Sequence, residues 1–518
     1  MGGMLQPITT STYSFPDVIG NGFVYVDKTA IVRELLRDGK NQYFCARPRR
    51  FGKSLLISTL QCLFEGRREL FRGLAIDRSD YDWKTYPVIR LDMGTMLYPE
   101  VSELKRAVSG YLREEALRLG LTPCPGEDPI EQFRVLIRDA AKTNGGKCVV
   151  LVDEYDKPLL GQLGKPEVGA FQQFLKPFYG VMKYEEAFQR FTFVTGVSKF
   201  SKVSIFSDLN NLTDITMDAR YATLFGYTRE EVKANFPEHI AALAEAQGLT
   251  TEEAFAKLEK MYDGFKFEED AERVFNPVSV GKCLSQKKFG SYWFETGTPT
   301  FLIEQLKRNP IGADDLTLDA KGFAAYEPEQ VRLLPLMFQT GYLTIKSVER
   351  QGEAQIFTLG YPNREVEDAM SYHLALGLSY LDEDHYSSIC NRMYRGLVSG
   401  EPDEMLEGFK CFFENIPYDL QVKYEKYYQS LFCSVFLMLK SRVAAEVRTA
   451  RGRIDAVVET PEFVYLFEFK LRGTSEEALA QIEEMGYAAK FASDPRKLFK
   501  IGCAFDWDKR NLGKWLVA

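Results

Sequence analysis

Arg47-Pro-Arg-Arg-Phe-Gly-Lys-Ser54 is the stretch that decides how this chain is read. It follows the apolar run Asn41-Gln-Tyr-Phe-Cys-Ala46 and precedes Leu55-Leu-Ile-Ser-Thr-Leu60, so strand, loop and helix stand in the order that a phosphate cradle requires. In such a cradle the backbone N–H groups and the helix N-terminus hold phosphate oxygens. The lysine neutralises β/γ charge and the hydroxyl coordinates Mg²⁺. Arg49, Arg50, Phe51, Gly52, Lys53, Ser54 and Leu55 are therefore assigned to nucleotide, and Ser54 also to the metal. Arg47 stands where the usual pattern has its first glycine. Arg49 and Arg50 are surplus cations, suited either to act as arginine fingers in cis or to pair with acidic side chains.

A bare Gly-Lys-Ser occurs in many basic turns, so a second motif is needed. Val149-Val-Leu-Val-Asp153-Glu154 supplies it, an apolar strand ending in two carboxylates about a hundred residues later. Asp153 can hold the Mg²⁺ shell through water while Glu154 orients the attacking water. The plainer reading is a strand terminus capping a helix. A third apolar run, Phe191-Thr-Phe-Val-Thr195, leads into Gly196-Val-Ser198-Lys199, where Ser198 would lie beside a γ-phosphate or serve an ordinary polar turn. Short apolar strands separated by helical patterns indicate a parallel sheet covered on both faces, with its ligands at the carboxyl ends of the strands.

The whole chain sets the frame. Its 518 residues suggest roughly three or four domains. With 45% hydrophobic and 27% charged residues it can build several cores. The net charge of -8 excludes a global positive field, so nucleic acid would have to be met by local basic strips, here residues 47–50 and 448–472. Nine scattered cysteines without a CxxC pair read as reduced thiols, and with three histidines they leave any metal to oxygen ligands. The N-terminus has no leader pattern and no apolar run reaches membrane-spanning length, so a cytoplasmic protein with no membrane contact is expected.

Beyond residue 225 the texture becomes helical, with cap candidates at Thr228-Arg-Glu-Glu-Val and Thr251-Glu-Glu-Ala-Phe. Between Glu327 and Tyr361 an apolar helix, a strand after Gly341, a charged turn and a second strand follow one another in the order of a winged helix, read as a packing element before a DNA-contacting one. The last hundred residues return to strands flanked by helices.

The chain resembles the bacterial AAA-ATPase-like proteins fused to a C-terminal PD-(D/E)XK nuclease-superfamily domain. The resemblance rests on Tyr25-Val-Asp-Lys-Thr29, the Arg47–Ser54 loop with its Arg-for-Gly exchange, Leu151-Val-Asp-Glu-Tyr-Asp-Lys-Pro158, Thr195-Gly-Val-Ser-Lys-Phe200, Tyr262-Asp-Gly-Phe265, Thr296-Gly-Thr-Pro-Thr-Phe301 and Gln339-Thr-Gly-Tyr-Leu-Thr344. It covers nearly the whole chain and implies ATP as cofactor.

A second site is legible near the C-terminus. Asp455 lies in one strand, and Phe467-Glu468-Phe469-Lys470 ends the next. In an extended strand Glu468 and Lys470 share a face while Phe467 and Phe469 point to the other. Asp455 and Glu468 can bind Mg²⁺ against a phosphodiester, and Lys470 can position or activate water. The plainer reading is a cross-strand salt bridge. The resemblance adds Gln481 and Tyr487 as accessory residues like those of RecB-like PD-(D/E)XK nucleases, and Glu425 as a helical carboxylate completing the metal site. Glu446 is the lesser candidate, and Ile454 replaces the proline of the motif's name.

The fold expected is α/β: a P-loop NTPase parallel-sheet domain over 1–225, a helical subdomain over 226–325, winged-helix-like and linking helices over 326–415, and a restriction-endonuclease-like α/β domain over 416–518. The function expected is ATP binding or hydrolysis gating a Mg²⁺-dependent nuclease acting on DNA, with Glu154, Asp455, Glu468, Lys470 and Gln481 catalytic. The competing reading is an ATP-dependent switch or scaffold whose last domain binds nucleic acid or protein without cutting. A third is a plain ATPase that works as a homo-oligomer.

Overall fold

The computed structural model describes residues 5–199, 211–293, 302, 305–306, 316–323, 332–415 except 353 and 380, 446–448, and 456–518 except 471, 507 and 510. They form two compact units, one of residues 1–296 with 316–365 and one of 297–315 with 366–518.

The first unit is built on a parallel sheet. β1 (Gln42–Ala46) and β3 (Cys148–Asp153) are buried at every residue, and β4 (Gln189–Gly196) at all but one, as apolar runs covered on both faces must be. With β2 (Val88–Asp92) and the short β5 (Thr213–Asp214), the spatial order is β2-β3-β4-β1-β5. β4 therefore separates the cradle strand β1 from the carboxylate strand β3. Helices Lys53–Phe64, Val101–Arg118, Pro129–Lys142 and Val168–Tyr184 accompany the sheet.

Four further helices, Arg229–Asn235, Pro237–Gln247, Thr251–Tyr262 and Pro277–Gln286, enclose a core that includes Val232, Phe236, Leu258 and Val280. Thr228 makes a capping box with Glu231, as its spacing predicts. The third of these helices is capped by Thr250, one residue before the expected Thr251, because only Thr250 stands three residues ahead of Glu253.

Helix Leu333–Thr340 ends at Gly341, which takes a left-handed φ of 86°, and is followed by β7 (Thr344–Gln351) and β8 (Ala354–Gly360). An earlier strand, β6 (Thr317–Asp319), pairs with the free edge of β8 to give the antiparallel order β6-β8-β7. The hairpin is tied down by Glu269, which accepts from Arg350 and Gln355.

The second unit carries a mixed sheet ordered β13-β12-β11-β10-β9, made of β9 (Glu446–Arg448), β10 (Ala456–Glu459), β11 (Phe463–Lys470), β12 (Lys497–Asp506) and β13 (Asn511–Val517). β10 and β11 are antiparallel. β11 and β12 are parallel and are joined through helix Ser475–Glu484. That helix lies close on β12 because a Cβ at Gly502 would overlap the Ser475 carbonyl. Helices Glu383–Ser399 and Pro402–Glu414, expected as linkers, instead build the core: Met393, Leu397, Phe409 and Phe412 pack with Tyr465, Phe467 and Ile501. Tyr487 begins a 3₁₀ turn, Tyr487–Phe491, beyond the helix in which it was expected, whose end is Glu484.

The eight cysteines among the described residues are free thiols. No helix among the described residues is long and apolar enough to cross a membrane.

Candidate functional site

The cradle begins where β1 ends. Gly52 precedes helix Lys53–Phe64 with φ 87°, and Arg50 also adopts a left-handed φ of 68°. A left-handed non-glycine residue costs on the order of 1 kcal/mol and persists only where its surroundings impose it. Phe51 supplies part of that constraint. It is buried and meets Phe265 and Phe267 edge to face at 4.8 and 5.4 Å. Lys53 is buried, and its Nζ donates to the carbonyls of Arg47 (3.0 Å) and Pro48 (2.9 Å), so the ammonium closes the loop on itself. Burial pushes the Lys53 ammonium down, and the carboxylates of Asp153, Glu154 and Asp156 oppose that. Ser54 and Leu55 open the helix behind it.

The carboxylate strand brings its group to the same place. Asp153 is buried; its Oδ1 accepts the Glu154 amide at 3.0 Å while its Oδ2 has no hydrogen-bond partner. Burial pushes this carboxyl up, and the nearby Ser54 hydroxyl and Lys53 ammonium pull it back. A buried carboxylate oxygen left open beside a serine hydroxyl suits a hydrated divalent cation. Glu154 is partly exposed, holds a left-handed φ of 48° and lies 3.6 Å from Lys157.

Two carboxylates beside them were not singled out from sequence. Asp92 ends β2 in register with Asp153, and a Cβ on Gly94 would sit 2.9 Å from its Oδ1 and 3.2 Å from Glu154 Oε2. Its signal was another apolar run ending in an acid, Val88-Ile-Arg-Leu-Asp92. Asp156 is buried and accepts from the amides of Val197 (3.1 Å) and Ser198 (2.6 Å) and from the Ser198 hydroxyl (2.5 Å). Ser198 is thus fully buried with its hydroxyl given to Asp156. Its observed part is to hold the loop after β4.

Arg47 corrects the expected basic strip. It is fully buried, donates to the carbonyls of Ala46 (2.9 Å) and Thr216 (2.7 Å), and lies 4.3 Å over the Phe267 ring. A guanidinium spent on carbonyls and an aromatic face cannot meet a polyanion. Arg50 donates to the Tyr292 carbonyl. Arg49 is exposed, with no hydrogen bond or ion pair among the described residues.

The segment that anchors Arg50 is itself held by Glu365, a buried carboxyl that accepts the amides of Tyr292 and Trp293. Ser279 faces it without hydrogen bonding in normal geometry. Burial pushes Glu365 up to about 7 from 4.5, against the pull of these donors and of Arg50. The folded chain then binds this proton more tightly than the unfolded chain. The contribution is therefore present below pH 4.5, is lost as pH rises to about 7, and is constant above. Glu365→Gln should flatten the pH dependence of denaturant midpoints across that window and stabilise at pH 8 by up to about 3 kcal/mol. An unchanged pH profile would show that Glu365 does not titrate there.

In the second unit, Glu468 is buried near the end of β11 and Lys470 lies on the same face. Lys470 Nζ is 3.9 Å from Glu468 Oε1, donates to Gln481 Oε1, and its side chain is 27% exposed. The lysine is not sealed in a closed ion pair. Phe467 is buried in the core and Phe469 packs against it, as alternation predicts. Asp455, Glu425, Arg451 and Arg453 lie outside the described residues, as does the side chain of Arg448; Arg472 is exposed.

Residues 7–206 match the family model of a predicted AAA-ATPase, and residues 423–515 match that of the PD-(D/E)XK nuclease superfamily. A protein of Azotobacter chroococcum mcd 1, described as an uncharacterized protein in the vnfD 5′ region, is 38% identical over 515 residues, covering 96% of each chain. Among solved structures, the Aeropyrum pernix ORC2 protein in ADPNP–ADP complexes aligns with 67% of this chain and 91% of its own at 11% identity and a TM-score of 0.29. The Aeropyrum pernix ORC1 protein in complex with DNA aligns with 67% and 92% at 12% identity and a TM-score of 0.25. Likenesses at those scores carry no weight for this chain's fold or function.

Proposed function

The chain belongs to the family of AAA-ATPase-like proteins that carry a C-terminal PD-(D/E)XK nuclease-superfamily domain, and on that premise we propose that it binds and hydrolyses ATP to gate Mg²⁺-dependent cleavage of DNA. The observation that carries the ATPase half is the meeting of Lys53, Ser54, Asp153 and Glu154, with one oxygen of buried Asp153 left open beside the serine. Lys53 binds the β/γ-phosphates, and the exposed Arg49 is available as a second cation beside them. Ser54 and Asp153 would hold Mg²⁺, which when bound would supply charge neutralisation at the phosphates. Glu154 aligns the attacking water and accepts its proton.

In the C-terminal domain Glu468, with Asp455 and Glu425, would hold a second cation, whose chemistry when bound would be Lewis-acid polarisation of a phosphodiester. Lys470, held by Gln481, positions the nucleophilic water. Its partial exposure and its 3.9 Å separation from Glu468 support this reading over a structural salt bridge. Helix Leu333–Thr340 with the three-stranded sheet is read as a winged helix, and the attachment of its hairpin to Glu269 favours a packing role.

The test is incubation of the purified chain with circular and linear DNA, with and without ATP and Mg²⁺. Cleavage is expected only with Mg²⁺ and is expected to change in rate with ATP. ATP hydrolysis with intact DNA in all arms would favour the switch or scaffold instead.

A further inference from the structure

Three consecutive amides beyond β4 are each held by a side chain. Asp156 takes those of Val197 and Ser198, and Gln339 Oε1 takes that of Lys199 at 2.7 Å. The Tyr155 hydroxyl adds a bond to the Ser198 carbonyl at 2.9 Å. Asp156 and Tyr155 come from the carboxylate segment itself. Gln339 comes from helix Leu333–Thr340, 140 residues farther along the chain, and is buried. Two residues later the same segment meets the cradle: a Cβ on Gly341 would sit 2.7 Å from Pro48 Cβ. Residues 339–341 therefore touch both the loop after β4 and the phosphate loop, the two segments between which a γ-phosphate would lie. From this geometry we infer that Gln339 is a positioning residue for ATP hydrolysis, fixing the β4 loop from outside the sheet and tying its position to the hairpin β7–β8. The inference rests on the ATPase reading and deepens it.

Without its acceptor the Lys199 amide loses its side-chain partner, and the loop is held from one side only. The catalytic geometry suffers more than ground-state binding, because positioning errors act on the transition state. The test compares full-length wild type with Gln339→Met, which keeps the shape and removes the acceptor, and Gln339→Glu, which keeps the acceptor. ATP binding, kcat, KM, thermal melting and hydrogen exchange of peptides covering 190–199 and 344–360 are measured for each.

Gln339→Met should lower kcat by roughly ten- to a hundredfold with KM within about threefold. It should also abolish any ATP-induced change in exchange at 344–360, while Gln339→Glu restores most of both. Wild-type kcat in Gln339→Met, or equal losses in the Met and Glu variants when both melt like wild type, overturns the inference. A wild-type chain that binds no ATP sinks the ATPase reading itself, which is a separate failure read from the binding arm.

Discussion

On the proposed function, Lys470→Ala is expected to lower the rate of DNA cleavage by roughly 10²–10⁴-fold, the span that one positioned proton-transfer or water-orienting group contributes. The side chain is part-exposed, so its removal opens no core cavity, and the strand that carries it is held by eight register pairs with β12 and by the packing of Phe467. Stability should therefore change little while chemistry collapses. ATP turnover should be untouched, since every residue proposed for it lies in the other unit. The measurement is cleavage of supercoiled DNA under single-turnover conditions, beside ATP hydrolysis by the same preparation. Cleavage persisting at the wild-type rate would remove Glu468, Lys470 and Gln481 as the active site. Gln481→Ala should give a smaller loss, because Gln481 acts through Lys470.

Lys53→Ala is expected to cut kcat/KM for ATP on the order of 10²–10³-fold, the scale of removing one preorganised electrostatic contact to developing charge. The structure adds a reason specific to this chain. Lys53 is a buried cation beside Asp153, Glu154 and Asp156, and it bridges two carbonyls of its own loop. Alanine removes both the proposed phosphate ligand and the bonds to the Arg47 and Pro48 carbonyls that shape the cradle, so binding should fall along with turnover. Isothermal titration with a non-hydrolysable ATP analogue separates the two. Wild-type affinity in Lys53→Ala would displace the nucleotide from this loop. DNA cleavage unaffected by Lys53→Ala would leave the nuclease intact and remove the proposed gating.

Local order was the part that could be read in advance. The strand–loop–helix around Lys53, the strand ending at Asp153 and the alternation that turns Glu468 and Lys470 to one face all depend on neighbours within a few residues. Arg47, Ser198 and Gln339 were not legible in that way. Each belongs to a quoted motif, yet what each does is set by a partner far along the chain: Phe267 for Arg47, Asp156 for Ser198 and the Lys199 amide for Gln339. Arg47 read as surface charge because its type and neighbours are basic. It is a buried brace because the Thr216 carbonyl and the Phe267 ring lie against it. The helices between 383 and 414 read as linkers because their apolar face has no partner within the segment, and that partner is β11 and β12.

By itself the sequence determined the α/β class and the order of the AAA-ATPase-like and PD-(D/E)XK domains, since motif spacing and hydrophobic period are properties of the local chain. Only the tertiary structure decided which charges of the loop are exposed and which brace it, Arg49 being exposed and Arg47 buried on carbonyls. Burial and hydrogen bonding join residues that sequence distance keeps apart, and the same arginine or serine serves either part until its neighbours in space are known.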